Sequence, residues 1–218
     1  MTTFPNSPRL VKGGLVLIDA DTGAVQRIIT LQYNPDTLSR TLQVKGVAAE
    51  AGDRRESQRL IGPPIETIKL DAEIDATDQL EFPDQNQNTT QLGIFPQLAA
   101  LETIVYPTST QLQNNNALAQ AGTLEITPME SPLTLFVWSK NRILPVLLTD
   151  FTITEEAFDP RLNPLRAKVS LSLRVLSVND LPFTHRGNSL FMAYLQQKER
   201  LAALNQGGVL NALGITSI

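Results

Sequence analysis

The stretch IKLDAEID, residues 68–75, alternates apolar and charged side chains without a break: Ile68, Leu70, Ala72 and Ile74 fall on one side, and Lys69, Asp71, Glu73 and Asp75 on the other. Successive side chains of an extended strand point to opposite faces, so a period of two describes a strand with one buried and one wet face. RAKVSLSLRV, residues 166–175, repeats the pattern with the opposite charge. Ala167, Val169, Leu171, Leu173 and Val175 point in, while Arg166, Lys168, Ser170, Ser172 and Arg174 point out. Opposite charges facing each other across a strand pair contribute roughly 0.2–1 kcal/mol each. The two stripes therefore suit either antiparallel neighbours in one sheet or a contact across a subunit boundary.

The flanking sequence extends this β reading. GGLVLIDADTGAVQRIITLQ reads as two strands joined by a tight turn at Asp21-Thr22-Gly23, because these residues favour turns between β-rich runs. A calcium loop there fails on its required glycine, whose position is Ala24. In LQYNPDTLSRTLQ, Pro35 fixes φ and Asn34 and Asp36 can bond nearby backbone, so the chain turns a corner and the next strand starts at about Thr37. Tyr33 beside it reads as a core or interface aromatic. LTLFVWS, a turn at Lys140-Asn141-Arg142, ILPVLLTDFTITEEAF and a turn at DPRLNP add further strands, with Pro145 expected at an edge or bulge. Residues 48–64 form a long loop or arm, either solvated or contacting a partner, with Arg54, Arg55 and Arg59 on it.

Helical spacing is confined to two places. GIFPQLAALETIVYP places Pro96 early and Leu98, Leu101 and Val105 on one face until Pro107. NSLFMAYLQQKERLAAL begins at a cap, Asn188 or Ser189, and ends before Gly207-Gly208; the tail after it is apolar enough to dock. Between the two, residues 107–122 are rich in Asn and Gln and read as a mobile polar loop. The expected fold class is mainly β (α+β), an antiparallel β-barrel or sandwich with one helix packed on it and a C-terminal helix, over a single domain spanning residues 1–218.

Chemistry is sparse. With no cysteine in 218 residues, disulfides, thiolate zinc sites and cysteine nucleophiles are excluded. A net charge of −4 argues against general affinity for nucleic acid. No run of about 18 apolar residues occurs, so the chain is expected to be made in a cytoplasm and to insert in no membrane. The one histidine, His185, lies in a loop without a nucleophile elbow and reads as a structural hydrogen-bonder. Asp71, Glu73 and Asp75 share a strand face and could in principle hold a cation or act as acid and base, but that spacing is what any half-exposed strand produces. Glu155 and Glu156, adjacent in a strand, point to opposite faces. No phosphate-binding glycine loop occurs. The expectation is no enzyme, no metal and no cofactor. A glycan- or ligand-binding accessory domain is the alternative, and it needs an exposed aromatic platform. Trp138, in an apolar strand, does not look available for one.

Four segments in order, LVLID…TGAVQRIITLQYNPDTLSRTLQ, GPPIETIKLDAEIDATDQLE, GIFPQLAALETIVYP and LSVNDLP, resemble the tube-type baseplate proteins of contractile injection systems, phage-tail-like particles of bacteria. The resemblance spans about residues 13–200. It implies a barrel related to phage tail-tube subunits, assembled as a hexameric ring at the base of the inner tube, where it joins the spike hub to the stacked tube. The implied partners are copies of itself, inner-tube subunits, the spike hub and baseplate or sheath proteins, and the implied location is such a particle. Relatives commonly carry a LysM module after this domain; none is evident here, and the apolar tail is expected to take its contacts. The subunit-interface candidates are Arg54, Arg55 and Arg59 on the arm, and Lys69, Asp71, Glu73, Asp75, Arg166, Lys168 and Arg174 on the two stripes.

Overall fold

The computed structural model describes residues 10–46, 60–122, 131–205, 207–208 and 213–215. Seven strands form one antiparallel sheet: β1 Gly14–Ile18, β2 Val25–Thr30, β3 Leu38–Gln43, β4 Ile65–Asp75, β5 Leu133–Ser139, β6 Arg142–Phe158 and β7 Pro164–Val175, in the order β2-β1-β5-β6-β7-β4-β3. Among the described residues five helices accompany them: α1 Thr77–Leu80, α2 Gln87–Leu92, α3 Phe95–Glu102, α4 Ser109–Gln120 and α5 Arg186–Ala203. The architecture is mainly β, as the alternating patterns require.

The two complementary strands are neighbours within one chain. β4 and β7 pair antiparallel with Glu73 opposite Lys168, Asp75 opposite Arg166 and Asp71 opposite Ser170. That register puts Ile68, Leu70, Ala72 and Ile74 on the same face as Ala167, Val169, Leu171 and Leu173, all of them buried. Phe136, Leu144 and Val146, together with Leu98 and Leu101 of α3 and Phe191 of α5, complete one apolar cluster. Fully burying a Leu, Ile or Val side chain stabilises by roughly 1.5–3 kcal/mol, so this shared face dominates the folding energy.

The sheet is rolled rather than flat, and the QYNP segment is its clasp. Asn34 Oδ1 accepts the N–H of Gly13, immediately before β1, at 2.9 Å. Two residues earlier, the Gln32 side chain donates to the Asp75 carbonyl at 2.8 Å and accepts the Asp75 N–H at 2.9 Å. β1 and β4 are four strand spacings apart in the sheet order, roughly 19 Å if the sheet were flat. One short connection can reach both only because the sheet curls back on itself. Tyr33 stays 44% exposed and donates to Asp78 at 3.2 Å, so it is not a core residue. Gln32→Ala removes two hydrogen bonds that close the roll, and chemical denaturation should show a loss of about 1–2 kcal/mol; an unchanged midpoint would mean that the clasp carries no closure.

Several local expectations are corrected. Residues 107–122 are not a loop: α4 is a helix of 12 residues. Thr108 Oγ1 accepts the N–H of Gln111 at 3.3 Å and the Gln111 side chain accepts the N–H of Thr108 at 3.0 Å, a capping box that starts the helix although none of its residues is buried. α3 stops at Glu102, short of Pro107, and Val105 is exposed. The β-branched run Thr103-Ile104-Val105 disfavours continuation, and Arg27 of β2 takes the carbonyl of Ala100 at 3.1 Å. α5 begins at Arg186 with His185 as its cap, and ends at Ala203, ahead of Gly207. Pro145 lies in an internal strand rather than at an edge or bulge. It is tolerated because β7 has ended at its level: its carbonyl accepts the N–H of Leu176, the residue after β7, at 2.9 Å, so the proline forfeits only the return bond beyond the last rung of the ladder.

The helical segment between β4 and β5 is fixed on the β6–β7 hairpin by Gly93, whose φ is +59°. A Cβ there would stand 2.2 Å from the carbonyl oxygen of Pro164, while the next residue, Ile94, donates its N–H to the same oxygen at 2.9 Å. The hairpin loop also caps α2: Asn163 donates to the carbonyl of Gln91 at 3.0 Å and Arg161 to that of Thr90 at 2.7 Å.

Candidate assembly surface

The carboxylates that might have served as acid and base are engaged by side chains of β7. Arg166 lies 2.8 Å from Asp75 and 3.8 Å from Glu73, Lys168 lies 3.3 Å from Glu156, and Ser170 donates to Asp71 at 2.6 Å. Burial raises the Asp75 carboxyl, but hydrogen bonds from Thr77 and the Arg166 guanidinium outweigh it and hold its pKa below the usual aspartate value. Lys69 faces Ser172 across the pair, and Arg174 turns aside to Asp180 at 2.7 Å. The stripes thus form a largely self-compensated, polar outer wall. Arg54, Arg55 and Arg59 lie outside the described residues. Among the described residues no group of three His, Cys, Asp or Glu side chains could hold a metal ion.

His185 is a helix cap: its Nδ1 accepts the N–H of Gly187 at 3.0 Å, in keeping with a structural part. Trp138 stacks on Phe136 with ring centroids 5.8 Å apart and lies against Gly13, where a Cβ would come within 2.5 Å of its ring. It packs against the core rather than standing out as a platform.

The sequence reading missed a buried ionic latch. Glu66 is 4% exposed. Its carboxylate accepts from Arg40 of β3 at 2.8 Å, from Lys198 of α5 at 2.9 Å and from the Tyr194 hydroxyl at 3.3 Å. Lys198 also sits 4.2 Å from the centre of the Tyr194 ring, an attractive cation–π geometry. Burial raises the Glu66 carboxyl, yet hydrogen bonds from Lys198 and Arg40 outweigh it and leave the pKa below its ordinary value of 4.5. The latch ties the C-terminal helix to the β3–β4 margin. A signal was present: continuing the alternation of 68–75 one step back puts Glu66 on the apolar face, and a carboxylate in phase with a core must find partners.

Three strand margins remain open among the described residues. β2 and β3 end the sheet, and their side chains are mostly exposed. The third is inside the order: β5 pairs with β6 only through Val146, whereas β7 continues beside β6 to Phe158. Residues 147–158 therefore have a ladder on one side only. Unpaired N–H and C=O rows are templates for another strand.

No helix among the described residues is long and apolar enough to cross a membrane. The structure has a slight likeness to a chain of the virion of a native gene transfer agent particle, 8% identical over 75% of this chain and 95% of that chain, with a TM-score of 0.27; it bears on neither fold nor function. No curated protein matches. The sequence profile of a family described as contractile injection system tube protein matches residues 17–180. That span holds all seven strands except the first residues of β1, and with it the stripes, the clasp and the open margins. The chain belongs to the contractile injection system tube protein family, whose members are structural parts of phage-tail-like particles.

Proposed function

We propose that the chain forms a hexameric ring at the base of the inner tube and joins the spike hub and baseplate to the stacked tube subunits, with no catalysis of its own. The supporting observation is the pair of open margins on the four-stranded wall β3-β4-β7-β6, and their opposite charge. Residues 143–160 contain Asp150, Glu155, Glu156 and Asp159 and no Lys or Arg; residues 37–46 contain Arg40 and Lys45 and no Asp or Glu. Glu156 is engaged by Lys168 and Arg40 by Glu66, which leaves Lys45 against Asp150 and Glu155. β3 of one copy laid along the open half of β6 in the next continues the wall without like-charge contact. Such a contact joins different surfaces of identical subunits, and repeating it with rotation closes a ring.

Electron microscopy of the full chain, alone and with its tube and hub partners, should give sixfold rings. Asp150→Lys combined with Glu155→Lys sets base against base and should lower ring yield at least tenfold. Both changes are on exposed positions, where effects on stability stay within about 0.5 kcal/mol each, so the melting temperature should hardly move. A wild-type chain that stays monomeric even with its partners, or rings unaffected by the double reversal, would overturn the proposal.

A further inference from the structure

We propose that Glu155 of one copy completes the Glu66 latch of the next, because β3 can enter the open margin of β6 in only one register. The proposal rests on the ring reading above and names the residues that meet at its seam.

The open margin is bracketed. At its start the β6–β7 ladder slips between Leu148 and Asp150, and the displaced Thr149 turns its hydroxyl onto the Ser172 carbonyl at 3.1 Å. Near its end Ala157 has a φ of +52°, a left-handed conformation that breaks the extended row of N–H and C=O groups. The regular stretch between the two is residues 150–156, room for the six residues of β3. Direction follows from the wall. β6, β7, β4 and β3 alternate in direction, so β3 runs opposite to β6, and rotation about a ring axis keeps that relation at the seam.

The two faces then fix the register. Leu38, Arg40 and Leu42 stand opposite buried residues of β4, and Phe151, Ile153 and Glu155 stand opposite buried residues of β7. Both sets therefore lie on the core side. A slip of one residue sets core side against outer side, and a slip of two in either direction runs β3 over the bulge or over Ala157. What remains pairs Leu38 with Glu155, Arg40 with Ile153, Thr41 with Thr152 and Leu42 with Phe151. Leu42, 46% exposed in the subunit, gains an aromatic neighbour. Glu155 lies diagonal to Arg40, a separation that long side chains span. The latch sets two bases, Arg40 and Lys198, against the single carboxylate of Glu66. Glu155, exposed in the subunit, brings the second carboxylate from the neighbouring copy.

This register suits a closed ring. Within one wall Arg40 is level with Leu148, through Ile68 and Leu173; at the seam it is level with Ile153. Rows thus climb by about 13–16 Å along the strands for every four strands, which are about 19 Å of sheet. That slope tilts the strands by about 35–40°, within the range by which sheets close into barrels.

The chain has no cysteine, so the register can be read by disulfides. Full chains carrying Thr41→Cys and Thr152→Cys, assembled with tube and hub partners and oxidised, should cross-link into species that reduction reverses. Within one subunit the two positions are three strand spacings apart, about 14 Å, too far for a bridge, so the product must join copies. Thr41→Cys with Thr154→Cys, and Ser39→Cys with Thr152→Cys, each shifted by two residues, should give at least tenfold less. Glu155→Ala should lower the 41–152 yield at least threefold and leave the melting temperature unchanged, since the side chain is exposed. A shifted pair that cross-links best, or a 41–152 yield that Glu155→Ala does not move, would overturn the proposal while rings in the microscope leave the ring reading standing. No rings and no cross-link at any of the three pairs would overturn both.

Discussion

Gly93→Ala is expected to cost on the order of 3 kcal/mol or more, and in thermal unfolding to lower the midpoint by roughly 6–12 °C. Two independent effects combine. With φ at +59° and ψ at −136° the backbone is in a region open to glycine and closed to residues with a Cβ. The added methyl would also lie 2.2 Å from the Pro164 carbonyl oxygen, which is backbone and already accepts from Ile94. Neither atom can move without parting α2 and α3 from the β6–β7 hairpin, and Ile94, Leu98 and Leu101 of that segment are core residues. Hydrogen exchange should therefore show protection lost first in residues 87–102. Gly122→Ala is a control: φ is +84° there as well, but no atom lies within 4 Å of the would-be Cβ. It should cost about 1 kcal/mol, the backbone term alone. Equal effects at the two positions would show that the contact with Pro164 does not matter.

Glu66→Ala is expected to cost about 2–4 kcal/mol, read from the denaturant midpoint. Removing the shared acceptor leaves Arg40 and Lys198 facing each other without compensation, which is the expensive way to break a buried pair. The figure is kept below the full cost of an enclosed charge because the two side chains are 27% and 34% exposed and can turn to water. The pH dependence has a definite sign. The folded-state pKa of Glu66 is below 4.5, its ordinary value, so the unfolded chain takes up the proton first as pH falls. The latch contributes fully above about pH 4.5 and is lost as pH falls through the lower, folded-state pKa. Asp19, Asp75, Asp159 and Asp180 are depressed as well, so acid sensitivity as such proves little. The difference between wild type and Glu66→Gln isolates one group: it should be constant above pH 5 and shrink toward pH 3. A difference independent of pH would mean that Glu66 is not the charged centre of the latch.

The two stripes were legible because their information is local. A period of two over residues 68–75 and 166–175 fixes which side chains go in, whereas the fold decided that the two stripes pair within one chain, Glu73 to Lys168 and Asp75 to Arg166, since they suited a subunit boundary equally well. Turn residues placed the β1–β2 and β6–β7 connections for the same reason. α4 was also written locally, in Thr108 and Gln111, but the amide-rich composition hid a signal that needs only three residues' separation. Composition describes solubility; capping decides whether a helix starts.

What this chain's sequence determined by itself was a set of half-buried strands, their inward faces and their turns, since each depends on neighbours within a few residues. The tertiary structure alone decided how the sheet closes, what holds the last helix and which margins stay open. Gln32 meets Asp75 across 43 positions and Lys198 meets Glu66 across 132, and no spacing rule connects residues so far apart. Those contacts exist only after the strands have rolled, because the roll brings a side chain and a distant backbone or carboxylate within 3 Å of each other.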